Sequence, residues 1–222
     1  MAEAPTTVVP EGQAVVALAE QEDRGTQCVR SFYAAGTGRL RVMRDGHNII
    51  RSEKIPKPVV LVDTREQQPL PLYENHRNWI GGERRATLKT GDYTVEGMES
   101  LLALERKSLA DLVACTVMYR RRFIASCARL GRFTWKAILI EATYEDIKSG
   151  FEEFDIPSDV HPNAVCGTLD AIEAKFGIPV IYASSIRHLA TERAASWISK
   201  HFTYWWLEEH RLGRILIDHD RL

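Results

Sequence analysis

Two acids and a lysine carry the strongest chemical suggestion in this 222-residue chain: Asp92, directly after Gly91, and Glu105 and Lys107, separated by Arg106. Leu101 to Lys107 has the aliphatic run of a strand, and Glu96-Gly97-Met98-Glu99 before it reads as the turn from a preceding strand that starts at Asp92. Side chains alternate faces along a strand, so Glu105 and Lys107 share one face and Arg106 takes the other. Hairpin pairing brings Asp92 toward Glu105. Two carboxylates converging with an ammonium suit phosphodiester hydrolysis. Mg²⁺ prefers oxygen ligands and keeps water in its shell. It lowers the pKa of that water and neutralises charge building on a phosphate, and an ammonium beside it can stabilise the same charge. An ordinary solvated hairpin carries the same residue types, so this pattern alone leaves both readings open.

The elements that must position these residues are legible from periodicity. Val59 to Val62 is a continuous apolar run, as expected of a strand covered on both faces, and it ends in Asp63-Thr64-Arg65-Glu66. Ser108 is an expected helix N-cap, with Asp111 imitating a capping box. Leu109, Leu112, Val113, Phe123, Ile124, Cys127 and Leu130 follow helical spacing over one or two helices. Ala137 to Glu141 and Ile178 to Tyr182 read as buried strands. Pro162 to Phe176 reads as a helix closed by Gly177. Ser184 or Ser185 is the expected cap of a long helix that carries Trp197 and Trp205 and stops near Gly213. Strands alternating with helices imply an α/β layered domain.

The ordered set Val62-Asp63-Thr64-Arg65-Glu66, Gly91-Asp92, Glu105-Arg106-Lys107 and Asp111 resembles the signature of the XPF-type structure-specific nucleases, which include archaeal Hef nucleases. The resemblance covers roughly residues 58–200. It implies a restriction-endonuclease-like α/β fold, a central mixed β-sheet flanked by helices, here with a small N-terminal extension (1–57 beside a nuclease domain 58–222). It implies Asp92 and Glu105 as principal metal ligands, with Asp63 completing the acidic cluster and Glu66 close by. Lys107 would orient the attacking water or contact the scissile phosphate. Arg106 would brace the site, and Asp111 would orient Arg106 or Arg65 or act only as an acid at a helix start. Arg65, Arg120, Arg121 and Arg122 would meet DNA phosphates. Arg122-Phe123 matches a family stretch, but Ser126 stands where that stretch usually has Gln. The implied activity is a Mg²⁺-dependent endonuclease, with Mn²⁺ able to substitute, acting on branched, flap or fork DNA in repair or recombination. The implied assembly is a homodimer through the late helix Ile186–Leu212. The tandem helix-hairpin-helix module common in the family does not appear, which loosens the expected substrate. Competing readings are a non-catalytic DNA-binding scaffold subunit and a restriction-like nuclease of defence or phage DNA processing.

Bulk properties are compatible with this. Net charge is −1, but the sign is polarised along the chain: residues 105–136 hold eight Lys/Arg and two acids, and residues 141–173 hold nine acids and one Lys. Such segments are ordinary solvated faces or, for the basic one, a phosphate-binding surface. Cys28, Cys115, Cys127 and Cys166 form no zinc-spaced pairs, and free thiols in a reducing compartment are expected. No segment has the length of a membrane span or the form of a secretory signal. The expected location is intracellular, cytoplasmic for a prokaryotic or phage protein and nuclear for a eukaryotic one, with no membrane and no small-molecule cofactor. Residues 1–12 read as disordered. Residues 40–50 resemble a β-hairpin turning at Asp45-Gly46.

Overall fold

The computed structural model describes residues 39–44, 47–151, 154, 156 and 159–210. Residues 1–38 with Cys28, the Asp45-Gly46 turn and the helix stop near Gly213 lie outside them. The chain divides into two units, the second being Pro56–Arg211. The first holds β1 (Arg39–Arg44) and β2 (His47–Lys54), which pair antiparallel.

The second unit is built on a six-stranded mixed sheet in the order β4-β3-β5-β6-β7-β8. These strands are β3 (Val59–Asp63), β4 (Gly82–Ala86), β5 (Tyr93–Val95), β6 (Leu102–Lys107), β7 (Trp135–Ile140) and β8 (Val180–Tyr182). β5 runs antiparallel to β3 and β6, while the remaining pairs are parallel. The carboxyl ends of β3 and β6 and the start of β5 therefore meet at one end of the sheet. That end receives Asp63, Asp92, Glu105 and Lys107.

Periodicity finds no strand in 82–86, because Gly-Glu-Arg-Arg-Ala has no apolar alternation. The strand forms because β3 offers it a free parallel edge, and charged side chains suit a strand at the rim of a sheet. The apolar runs behave as their composition dictates: four of the five residues of β3 and the last four of β7 are buried.

Helices cover both faces. α1 (Leu72–Asn75) and the long α6 (Arg187–Glu209) lie together on one side, α6 also touching β5 and β7. On the other, α2 (Leu109–Val117), α3 (Arg120–Leu130), α4 (Tyr144–Ser149) and α5 (Pro162–Phe176) enclose a core with Ala103, Ile138 and Ile140. Ala103 alternates with Glu105 and Lys107, so the chemistry-bearing side chains extend the face that this core covers.

Local capping explains three of the six described helix starts. Ser108 accepts the Asp111 N–H at 3.1 Å, Thr143 and Asp146 form a full capping box, and His161 caps α5. The expected serine cap of α6 is corrected: the N-cap is Ile186, without a side-chain cap. Ser184 Oγ accepts the Ile186 N–H at 3.0 Å. That hydroxyl closes the turn before the helix and is spent there. Trp197 is buried, while Trp205 and Trp206 stay half-buried. No described helix is long and apolar enough to cross a membrane.

Candidate active site

Pairing places the acids. Tyr93 is the partner of Leu104, which sets Asp92 next to Glu105. The Asp63 N–H donates to the Asp92 carbonyl at 2.8 Å, and the Asp92 N–H to the Leu104 carbonyl at 2.9 Å. The chain enters this row through Gly91, whose φ of +80° is left-handed. A Cβ there would stand 3.2 Å from both Ala103 Cβ and the Leu104 carbonyl oxygen. Gly91→Ala should cost about 2 kcal/mol from backbone strain and crowding together. The check is urea unfolding: a lower midpoint at unchanged slope is expected, and an unchanged midpoint would contradict this account of the turn.

Asp92 Oδ2 accepts the backbone N–H of Arg106 at 2.7 Å. Burial and the neighbouring Glu105 charge push the Asp92 carboxyl up to about 7, against the opposing pull of that N–H and of Lys107. Lys107 Nζ donates to Glu105 Oε1 at 2.5 Å. Burial would lower the Lys107 ammonium, but the Glu105 charge and hydrogen bond outweigh it and raise it. Two adjoining, largely buried carboxylates share one ammonium. Such a pair lacks positive charge and would welcome a divalent cation.

Asp63 is buried, and its carboxylate lies 2.6 Å from Arg65 Nη2. Burial alone would raise its carboxyl, yet the Arg65 hydrogen bonds and charge hold it below the usual range. Arg65 also lies within the electrostatic reach of Asp92 and Glu105. Its side chain is 66% exposed, so it stands at the mouth of the acidic row.

The other face of β6 carries Arg106, paired with Glu141 and, at 3.4 Å, with Glu66. Asp111 orients neither Arg106 nor Arg65: its Oδ2 accepts the Ser108 hydroxyl at 2.8 Å, and both arginines have other carboxylate partners. The residue missed by sequence reasoning is Glu141. Its signal was available, an acid directly after the buried run Ala137–Ile140, at the same end of the sheet as the acidic row.

Among the basic candidates, Arg120 donates to Thr168 on α5 at 2.8 Å. Arg121 and Arg122 are exposed and border a shallow groove with Met118, Tyr119 and Ala125. The helix that bears Arg121 and Arg122 also reaches the site. Phe123, the residue after Arg122, lies under Lys107 Nζ, 6.0 Å from ring centroid to nitrogen. Cys115 is within electrostatic reach of Lys107, Glu105 and Arg122. Burial raises its thiol, against the pull of Lys107. Cys127 is buried, and burial pushes its thiol up to about 12, which makes it inert at neutral pH.

Among the described residues, no three His, Cys, Asp or Glu side chains gather as a metal cage. The donor set that is present, two hard carboxylates that share one ammonium, fits Mg²⁺ or Mn²⁺. Mg²⁺ characteristically binds through one or two carboxylates and completes its shell with water and phosphate oxygens.

Comparison with known proteins agrees with this architecture. The family profile of the ERCC4 domain matches residues 62–192, more than half of the chain. The fold is that of XPF from Aeropyrum pernix in its complex with DNA, at TM-score 0.50 and 17% identity over 72% of this chain and 69% of that one. A second structure of XPF from Aeropyrum pernix has 18% identity, a TM-score of 0.49 and 69% coverage of both chains. No curated protein matches the chain in sequence.

Proposed function

Given that the chain belongs to the ERCC4-domain family, we propose that it is a divalent-metal-dependent DNA endonuclease that hydrolyses phosphodiester bonds at the Asp92–Glu105–Lys107 cluster. The observation that carries this reading is the half-buried Asp92–Glu105 pair with a single ammonium, Lys107, beside it. A cluster arranged only for stability would balance its charges. This one is left short of positive charge at one end of the sheet, and a divalent cation that makes up the deficit would also let a phosphate approach.

Asp92 and Glu105 would hold Mg²⁺ or Mn²⁺, and Asp63 would join them once Arg65 turns from it toward a phosphate. The bound ion would supply an acidified water and charge neutralisation at the phosphate. Lys107, kept protonated by Glu105, holds a donor toward the scissile phosphate. Arg106 fixes the strand, and its N–H fixes the direction of the Asp92 carboxylate. Asp111 holds the start of α2 and thereby the end of β6.

DNA as the substrate is supported by the shared fold with Aeropyrum pernix XPF, a protein solved in complex with DNA, and by the exposed Arg65, Arg121 and Arg122 around the site. Branched, flap or fork substrates, a role in repair or recombination, and a homodimer through α6 belong to the same proposal. Half-buried Trp205 and Trp206 are the side chains that a second copy would cover.

The test is nicking of a panel of flap, fork, Holliday and linear duplex DNA in Mg²⁺, with Asp92→Asn as control. Metal-dependent nicking that the substitution removes is the expected result. Nicking that survives it would sink the site, and equal cutting of linear and branched DNA would sink structure selectivity. Arg121→Ala with Arg122→Ala should weaken binding of every DNA tested alike, and lower the slope of log affinity on log salt by about 2. Fluorescence anisotropy across a salt series measures it. An unchanged slope would place the phosphate contacts elsewhere.

A further inference from the structure

The hydrolytic reading uses the face of β6 that bears Glu105 and Lys107 and the backbone of Arg106, and it leaves the acids and the second arginine around the Arg106 side chain without a task. Arg106 is only 8% exposed there. Its Nε donates to Glu141 Oε1, and its Nη1 lies 3.4 Å from Glu66 Oε1. The second oxygen of Glu141 lies 3.7 Å from Arg187 Nη1, at the first residue of α6. Arg187 is anchored in turn, since its Nη2 donates to the carbonyls of Gln68 at 2.9 Å and Pro69 at 2.8 Å. A chain of ion pairs thus ties the start of α6 and the segment after β3 to the carboxyl end of the strand that bears the chemistry.

Buried ion pairs are a poor means of stabilising a fold, because desolvation offsets most of the attraction, and apolar residues would hold the sheet as well. What they supply is a fixed geometry. Here the fixed residue is the one whose backbone N–H points at Asp92 Oδ2. Glu141 also grips the same strand through its own backbone, its N–H donating to the Lys107 carbonyl at 2.9 Å. Glu141 therefore holds β6 at two points directly after the peptide that aims the Asp92 carboxylate, the Arg106 side chain and the Lys107 carbonyl.

We infer that Glu141 is a positioning residue for the divalent-ion site: with Arg187 behind it, it holds Arg106 so that the Arg106 N–H sets the direction of the Asp92 carboxylate, and so the affinity of the site for the ion. This inference rests on the metal-dependent reading above. Partners that orient a metal ligand from behind typically govern about 10- to 100-fold in metal affinity.

The experiment is a calorimetric titration of the full chain with Mn²⁺, without DNA, paired with nicking assays in which Mg²⁺ and DNA are varied separately. Glu141→Gln should bind Mn²⁺ about tenfold more weakly and need about tenfold more Mg²⁺ for half-maximal nicking, with KM for DNA unchanged. Glu141→Asp, which keeps the charge, should recover part of the loss. Arg187→Ala, farther from the site and 44% exposed at its side chain, should weaken Mn²⁺ binding about threefold, and it serves where Glu141→Gln does not fold. Wild-type affinity for Mn²⁺ in Arg187→Ala and in every folded Glu141 variant would overturn the inference while leaving the nuclease reading intact. A wild-type chain that binds no Mn²⁺ would overturn both, and the two failures are told apart by the wild-type titration alone.

Discussion

Asp92→Asn should abolish nicking, by at least about a thousandfold, and at the same time make the metal-free protein more stable above neutral pH. The loss follows from removing one of the two carboxylates that would hold the ion, whose contributions to the barrier are of the size of several kcal/mol. The gain follows from linkage. The Asp92 carboxyl is raised to about 7 by burial and by Glu105, whereas in the unfolded chain it titrates near its ordinary value of 3.8. A group raised on folding contributes stability that is fully present below its unfolded pKa and is lost as pH rises through the folded one. The wild type should therefore lose stability between about pH 4 and 7, reaching roughly 2 to 4 kcal/mol from this group by pH 8. Asparagine never ionises and escapes that loss. Thermal melts in chelator should show the two proteins close together at pH 4 and the variant several degrees higher at pH 8. Mg²⁺ should raise the wild-type melting temperature at pH 8 and leave the variant unmoved. If the variant instead melts below the wild type at pH 8 in chelator, Asp92 is a structural carboxylate and the charge deficit assigned to the cluster is wrong.

The second large effect is opposite in kind. Arg106→Ala should destabilise the protein by about 3 to 5 kcal/mol at neutral pH, because Glu66 and Glu141 would be left buried, close together and without their shared counter-ion. Their side chains are 11% and 12% exposed, so water cannot replace the guanidinium. For a domain of this size the loss corresponds to a melting temperature lower by about 10 °C. Arg106→Lys should recover only part of it, since one ammonium cannot match a planar fork that reaches two carboxylates from different elements. A melting temperature within about 2 °C of wild type for Arg106→Ala would mean that the two glutamates are not relying on it. The pair of predictions separates the faces of β6: substitution at Asp92 trades function for stability, and substitution at Arg106 loses stability outright.

That separation of faces was legible in the sequence. Alternation along Leu102–Lys107 requires Arg106 to leave the side that Glu105 and Lys107 occupy, whatever the rest of the fold does. The buried strands Val59–Asp63 and Trp135–Ile140, the helix between Pro162 and Gly177 and the cap at Ser108 were readable for the same reason. Each depends on interactions within a few residues, and periodicity or capping chemistry records those directly. The order Asp63, Asp92, Glu105 also pointed to its family, because a motif is a linear object.

Other features were decided only by the tertiary structure. β4 carries no strand signal of its own and exists because β3 has an edge to fill. Asp63 reads in sequence as one more acid of the cluster, but Arg65, two residues on, is held against it by the Leu88 carbonyl that the fold brings up. Arg120 belongs to a run of three arginines that look alike, and only the approach of α5 turns it to Thr168 while Arg121 and Arg122 face solvent. Glu66 and Glu141 are far apart in sequence and meet at Arg106, with Arg187 joined through Glu141, because β3 and β7 end and α6 begins at the same end of the sheet. No local pattern encodes that meeting. The acids and the lysine were chosen by the sequence, and the charge balance that gives them a chemistry is set by which neighbours the fold brings to them and which it keeps away.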